Sequence, residues 1–422
     1  MKILQKKLAS GVHLITVPMK DTPTSTVLVL VEAGSKYEDK KVNGISHFLE
    51  HMCFKGTTVR PKSLDINLEL DQIGAQNNAF TSFEYTGYYA KSHAKHTEKL
   101  INVISDIYLN STFPSPEIEK ERGVIIEEIN MYEDMPQRKV WDVFMKLLYG
   151  DQPMGRTISG TKDFINSVQR DDFVQYRKQH YVASATTIVV AGNMNPKQVE
   201  KSIEKAFAHI SKGKKTKKLK VIDAQTKPAI LIHHKETDQT HLVLGVRTFP
   251  VGSSKNTTLQ VLNAVLGEGM SSRLFQKLRE EMGVGYYVRS GVDEYTDHGY
   301  LVVSTGVDRK RVKEVVTAIL GEFTRLTIDL VSSAEIEKAK ECIIGRLSMG
   351  LESSDAVAEF VGSQYVQRKK IETPKDIEKK IRKITAKDVQ KLAQEIFVSK
   401  HLNLAIVGDK KDEKVVRSIL KL

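Results

Sequence analysis

The feature that most limits how this chain can fold is an internal repeat. Residues 167–192 align without a gap on residues 383–408, with Asp172 on Asp388, Val182 on Val398 and Gly192 on Gly408. At the same offset of 216, Val199, Ser202 and Ile203 fall on Val415, Ser418 and Ile419. A second match lies upstream at offset 218, where Ser115–Lys120 parallels Ser333–Lys338 and Ile125-Ile126 parallels Ile343-Ile344. Distant matches at nearly one offset indicate a tandem duplication, and a period of domain size excludes a solenoid. Each copy reads as a helix, a short loop, a β-branched strand, a turn and a second helix.

Alternation and turn residues predict strands over 12–18, 25–33, 84–91 and 186–191, then 229–233, 241–247, 285–292, 299–306 and 402–407. The 3.6-residue period predicts helices over 44–54, 95–109, 116–132 and 196–208. Joins such as Thr296-Asp297-His298-Gly299 are hairpin-like. The fold class is α+β: two related domains, each a mainly antiparallel sheet with helices packed on it. The expected boundaries are a first domain over 1–210, a Lys-rich linker over 211–222 and a duplicated domain over 223–422.

A net charge of +12 raises the question of an anionic partner, because residues 211–220 carry six lysines and no acid. No aromatic residue interleaves with them as a stacking platform, so the stretch reads as a solvated linker and not as a nucleic-acid tether. A third function class, a basic nucleic-acid-binding protein, would have to work through this segment. No apolar run approaches the roughly 20 residues that span a bilayer, so no membrane partner is expected. Met1–Lys7 has neither the apolar core of a secretory signal nor the character of a transit peptide. Two cysteines, Cys53 and Cys342, make no disulfide framework, and the expected compartment is the reducing cytoplasm.

The chemistry concentrates at His47-Phe48-Leu49-Glu50-His51. On a helix, His47 and His51 project from one face and can supply half of a tetrahedral zinc shell. Glu50 sits beside them, placed to act on a water. A catalytic zinc needs a third protein ligand, and the helix from Pro116 offers Glu117, Glu119, Glu121, Glu127 and Glu128. Glu121 and Glu128, two turns apart, share a face, while Glu127 points about 100° away from Glu128. The duplicate is a natural control. There Glu121 becomes Ala339 and Glu128 becomes Arg346, whereas the helix-start acids Glu117 and Glu119 persist as Glu335 and Glu337. Against His47, Glu50 and His51 stand Ser272, Phe275 and Gln276. The second copy has dropped every proposed metal group together. The pairs His93/His96 and His233/His234 have no matching carboxylate and read as structural or exposed.

These residues resemble the inverted-motif zinc metallopeptidases of the pitrilysin, insulin-degrading enzyme and mitochondrial processing peptidase family, in a two-domain bacterial-type form. The resemblance covers essentially the whole chain. It rests on Gly44–Thr57, on Glu121–Glu128, on Asn77–Ser82 and on Leu278–Tyr286. It implies a zinc endopeptidase in which His47, His51 and Glu128 hold one Zn2+ and Glu50 is the general base. Glu121 is implied as a supporting acid. Asn78, Ala79 and Phe80 would lie on an edge strand that the peptide joins, and Arg279 and Tyr286 would hold the substrate backbone, Tyr286 also donating to the oxyanion. It further implies a homodimer with composite sites, zinc ligands from one subunit and Arg279 and Tyr286 from the other. Two alternatives stay open: a non-catalytic scaffold or partner subunit of the same fold, and a zinc lyase of the quorum-signal synthesis type, which would be much shorter.

Overall fold

The structure is a computed structural model; it describes residues 1–285, 287–409 and 412–422, without the side chains of Asp412 and Val415. Two sheets organise it. The first is built from β1 (Leu4–Lys7), β2 (His13–Pro18), β3 (Thr24–Val31), β4 (Gln76–Thr81), β5 (Thr86–His93) and β6 (Thr186–Gly192). The second holds β7 (Ala229–His234), β8 (Thr240–Thr248), β9 (Val288–Glu294), β10 (Gly299–Val307) and β11 (Leu402–Gly408). Their spatial orders are β1-β2-β6-β3-β5-β4 and β7-β11-β8-β10-β9. With β1 set aside, the two orders are the same. The β2·β6 and β7·β11 pairs are parallel and the other neighbours antiparallel.

The repeat is carried down to single residues. Helix Arg170–His180, the turn Ala183–Ala185 and β6 recur as helix Ala386–Ile396, the turn Ser399–His401 and β11, each displaced by 216. Thr-Thr-Ile-Val-Val-Ala-Gly in β6 is buried at every position, which suits a central strand covered on both faces.

That covering overturns the contiguous boundaries. One compact unit comprises Met1–Ile129, Arg156–Leu219 and Met349–Glu372; the other comprises Asn130–Gly155, Lys220–Ser348 and Thr373–Leu422. Helix Ser354–Arg368, from the second half of the sequence, lies on β2, β3 and β6 and buries Val357, Ala358 and Val361 there. Helix Pro136–Tyr149, from the first half, lies on β7, β8 and β11. The halves have exchanged equivalent helices, because each sheet needs an apolar layer on its second face and amphipathicity does not dictate which sheet supplies it.

The lysine stretch departs from expectation in part: Lys212, Lys214, Lys217 and Lys220 are exposed to solvent, but Lys215 and Lys218 tie the segment down as a strap. Lys215 pairs with Glu32, and the Lys218 ammonium lies 2.7 Å from Glu84. Thr216 Oγ1 is 2.8 Å from His180 Nδ1, and the Ser211 carbonyl accepts from Ala183 N–H at 2.8 Å. Glu32 and Glu84 are 6% and 3% exposed, and carboxylates so buried require cationic partners. The strap therefore belongs to the first unit as far as Leu219.

Candidate metal centre

The two histidines ride on helix Ile45–Met52, and the sequence sets this helix carefully. Gly44 turns the chain into it with φ 107°, and a Cβ there would meet Gly160 Cα at 2.8 Å. Glu38 closes the open amino end. Its carboxylate accepts from the N–H groups of Gly44 and Ser46, both at 2.8 Å, and from Asn43 Nδ2 at 3.0 Å. A carboxylate at a helix N-terminus satisfies unpaired donors and complements the dipole. Ile45, Phe48, Leu49 and Met52 enter the core, which leaves His47, Glu50 and His51 partly buried on another face.

Helix Ser115–Asp134 brings the carboxylates. Glu128 Oε2 lies 3.6 Å from His47 Nε2 and 3.8 Å from His51 Nε2. One donor atom from each of the three side chains falls within 4.8 Å of the others. Glu121 is buried one face-repeat earlier, with Oε1 2.9 Å from His51 Nδ1 and Oε2 2.5 Å from Lys55 Nζ. Glu127 is exposed on another face.

Electrostatics divides the roles. Burial, assisted by the neighbouring His51, lowers the His47 pKa to about 4, so its ring stays neutral and able to donate a lone pair. Burial also works against charge on His51, but hydrogen bonding to Glu121 and the surrounding carboxylates raise its pKa overall. Burial works against the Glu121 charge as well, yet the bonds from His51 and Lys55 hold that carboxyl below its usual range. An ionised Glu121 accepts a hydrogen bond from Nδ1–H of His51, which leaves the lone pair on Nε2, the nitrogen nearer Glu128. Burial raises the Glu50 pKa, opposed by a 2.5 Å hydrogen bond from Thr81 Oγ1.

Thr81 ends β4, which is the free edge of the first sheet and contains Asn78, Ala79 and Phe80. One unit thus gathers His47, Glu50, His51, Glu121, Glu128 and this edge. Arg279 belongs to the other unit, exposed on the wide-turned helix Phe275–Glu281, and donates from Nη1 to the Gly285 carbonyl at 2.9 Å. Tyr286 lies outside the described residues. In the duplicate, the erased positions have turned to local bonding: Ser272 Oγ donates to Gly269 O at 2.7 Å, Gln276 Nε2 to Met270 O at 2.7 Å, and Arg346 pairs with Glu268 at 2.6 Å. Sequence reasoning gave no role to Glu38, Lys55 or Thr81. Glu38 carries no local signal, whereas Lys55 stands four residues after His51, just beyond the end of the helix.

The chain is similar to known proteins over nearly its whole length. Residues 14–162 match the family described as insulinase (peptidase family M16), and residues 167–342 match its "peptidase M16 inactive domain". The uncharacterized zinc protease YmxG of Bacillus subtilis is 36% identical over 94% of this chain and 96% of its own. The β subunit of the mitochondrial-processing peptidase of Lentinula edodes is 32% identical over 95% of this chain and 89% of its own. Among solved structures, a protease from Helicobacter pylori superposes with a TM-score of 0.89 at 22% identity, covering 97% of this chain and 99% of that one. A chain of complex III2 from Candida albicans superposes with a TM-score of 0.87 at 18% identity, covering 100% of both. These two likenesses concern the fold alone.

Proposed function

We propose that this chain, which belongs to the insulinase family of peptidases (M16), is a zinc-dependent endopeptidase acting on peptides or unfolded segments. The observation that carries the reading is the convergence of His47, His51 and Glu128 beside the buried carboxyl of Glu50. The donor set suits the metal: two imidazole nitrogens and a carboxylate oxygen, at separations of 3.6 and 3.8 Å that approach the roughly 3.4 Å edge of a zinc tetrahedron with ligand bonds near 2.05 Å. When held by these residues, zinc supplies the Lewis acid that acidifies a water and polarises the scissile carbonyl.

The side chains supply the rest. Glu50, its basicity raised by burial, takes a proton from the attacking water and delivers it to the leaving amine. Glu121 fixes the tautomer and orientation of His51 through Nδ1. The free edge of β4 accepts the peptide as an added strand at Asn78, Ala79 and Phe80, gaining backbone hydrogen bonds with little demand on sequence. Arg279 and Tyr286 grip the substrate from a second copy of the chain in a homodimer. No helix among the described residues is long and apolar enough to cross a membrane, and Cys53 and Cys342 are both free thiols, which supports a cytoplasmic setting. The complete donor set favours catalysis over the scaffold reading.

The test is cleavage of a mixed peptide library with metal analysis. Hydrolysis should vanish on chelation and return with zinc; hydrolysis indifferent to chelator would refute the proposal. Glu121→Gln should weaken zinc binding by about 10–100-fold, read by competition with a chromophoric chelator, and unchanged affinity would remove Glu121 from its positioning role. Mixing inactive Glu50→Gln subunits with Arg279→Ala subunits should recover part of the activity if sites are composite. The absence of recovery in demonstrated mixed dimers counts against a shared site.

A further inference from the structure

The two copies close one equivalent helix end with different chemistry. In the first unit, helix Thr97–Asn110 ends under two guanidinium groups. Arg170 donates from Nε and Nη2 to the Thr112 carbonyl at 3.3 and 3.1 Å, and Arg177 donates to the carbonyls of Ser111 and Tyr108 at 2.9 and 3.2 Å. In the second unit, helix Val312–Ile328 ends under two amides: Gln390 Nε2 donates to Ile328 O at 2.8 Å and Gln394 Nε2 to Thr327 O at 2.9 Å. At offset 216, Arg170, Arg177 and Lys178 stand against Ala386, Ala393 and Gln394. The buried Phe173 and Tyr176 stand against the equally buried Val389 and Leu392. Neutral side chains thus suffice to close a helix end, which carries only about half a negative charge. The three cations of the first copy exceed what the fold requires.

Those cations line a cavity of about 600 Å³ inside the first unit, a size suited to a small molecule. Arg170, Val174 and Arg177 recur at helical spacing and share one face, with Lys178 beside them. None of the lining residues is acidic. Among the described residues no carboxylate pairs with Arg170, Arg177 or Lys178, whereas Arg60, Lys91 and Arg122 of the same unit are all paired. Nη1 of Arg170, Nε of Arg177 and the Lys178 ammonium make no hydrogen bond among the described residues. Val174, which is 38% exposed, and Ile210 add an apolar wall. We propose that this cavity binds a small organic phosphate, a phosphate group joined to an apolar or aromatic body. The spare guanidinium and ammonium donors match phosphate oxygens, and a charge of about −1.5 to −2 answers the local excess better than a single carboxylate does. The apolar wall covers the organic part. No residue of the metal centre lines the cavity, so the site stands apart from the peptidase reading.

The experiment is calorimetric titration of the full chain with phenyl phosphate, inorganic phosphate and phenol. The proteins compared are the wild type, Lys178→Glu, Arg170→Gln and Glu128→Ala, each first checked for folding by circular dichroism. Lys178 is exposed, and Arg170→Gln supplies the kind of amide that closes the helix end in the second unit, so both variants should fold. The wild type should bind one phenyl phosphate per chain, roughly tenfold or more tightly than inorganic phosphate, and should not bind phenol. Lys178→Glu and Arg170→Gln should each weaken phenyl phosphate by roughly tenfold. Glu128→Ala should bind it as the wild type does, because the cavity owes nothing to the metal. No binding of phenyl phosphate by the wild type, or unchanged affinity in Lys178→Glu or Arg170→Gln, overturns the site. Loss of binding in Glu128→Ala would put the phosphate on the metal centre and overturns it too. Equal affinity for inorganic phosphate and phenyl phosphate overturns the assignment of an organic ligand.

Discussion

Replacing Glu50 by Gln is expected to lower kcat/KM by about a thousandfold while leaving one zinc per chain. The substitution keeps the shape of the side chain, and its amide oxygen can still accept the hydrogen bond from Thr81. It removes only the ability to take and return a proton. No donor atom of Glu50 belongs to the His47, His51 and Glu128 cluster, so metal content should not change. Because the Glu50 carboxyl is disfavoured as an ion by burial, the variant should also be no less stable than the parent. Steady-state kinetics with metal analysis on the same sample checks both halves. Turnover near the wild-type rate would remove Glu50 from the mechanism.

Glu128→Ala should abolish both zinc retention and hydrolysis, and its loss of metal affinity should exceed the roughly 10–100-fold expected for Glu121→Gln. The neighbouring Glu127→Ala is the matched control, since Glu127 is exposed on another face of the same helix and contributes no atom to the cluster. Dialysis followed by metal analysis discriminates the two. If Glu127→Ala loses zinc and Glu128→Ala keeps it, the ligand assignment is wrong.

Much of this arrangement is legible in the sequence because duplication writes it twice. Strand β6 and strand β11, with their preceding helices and turns, sit at one constant offset, so the repeated topology follows from aligned residues alone. The metal groups stand out because Ala339 and Arg346 replace Glu121 and Glu128 while the packing and capping residues survive. What stays illegible depends on distant partners. Helix Pro136–Tyr149 announces an apolar face, and nothing local says that the face covers β7, β8 and β11. Lys215 and Lys218 look like solvated charges until Glu32 and Glu84 are found buried beneath them. Glu38 is one acid among many until its carboxylate meets the N–H groups of Gly44 and Ser46. For the helix and the lysines the deciding partner lies far away in sequence; for Glu38 it is a helix end six to eight residues on, whose unpaired N–H groups no residue pattern announces.

The central claim, that His47, His51 and Glu128 form one zinc shell, is tested most directly by zinc K-edge X-ray absorption on the purified protein. The expected spectrum shows one zinc per chain with nitrogen and oxygen neighbours at about 2.0–2.2 Å, outer-shell scattering from two imidazoles and no sulfur. A sulfur shell near 2.3 Å, a single imidazole, or the same spectrum after Glu128→Ala would contradict it.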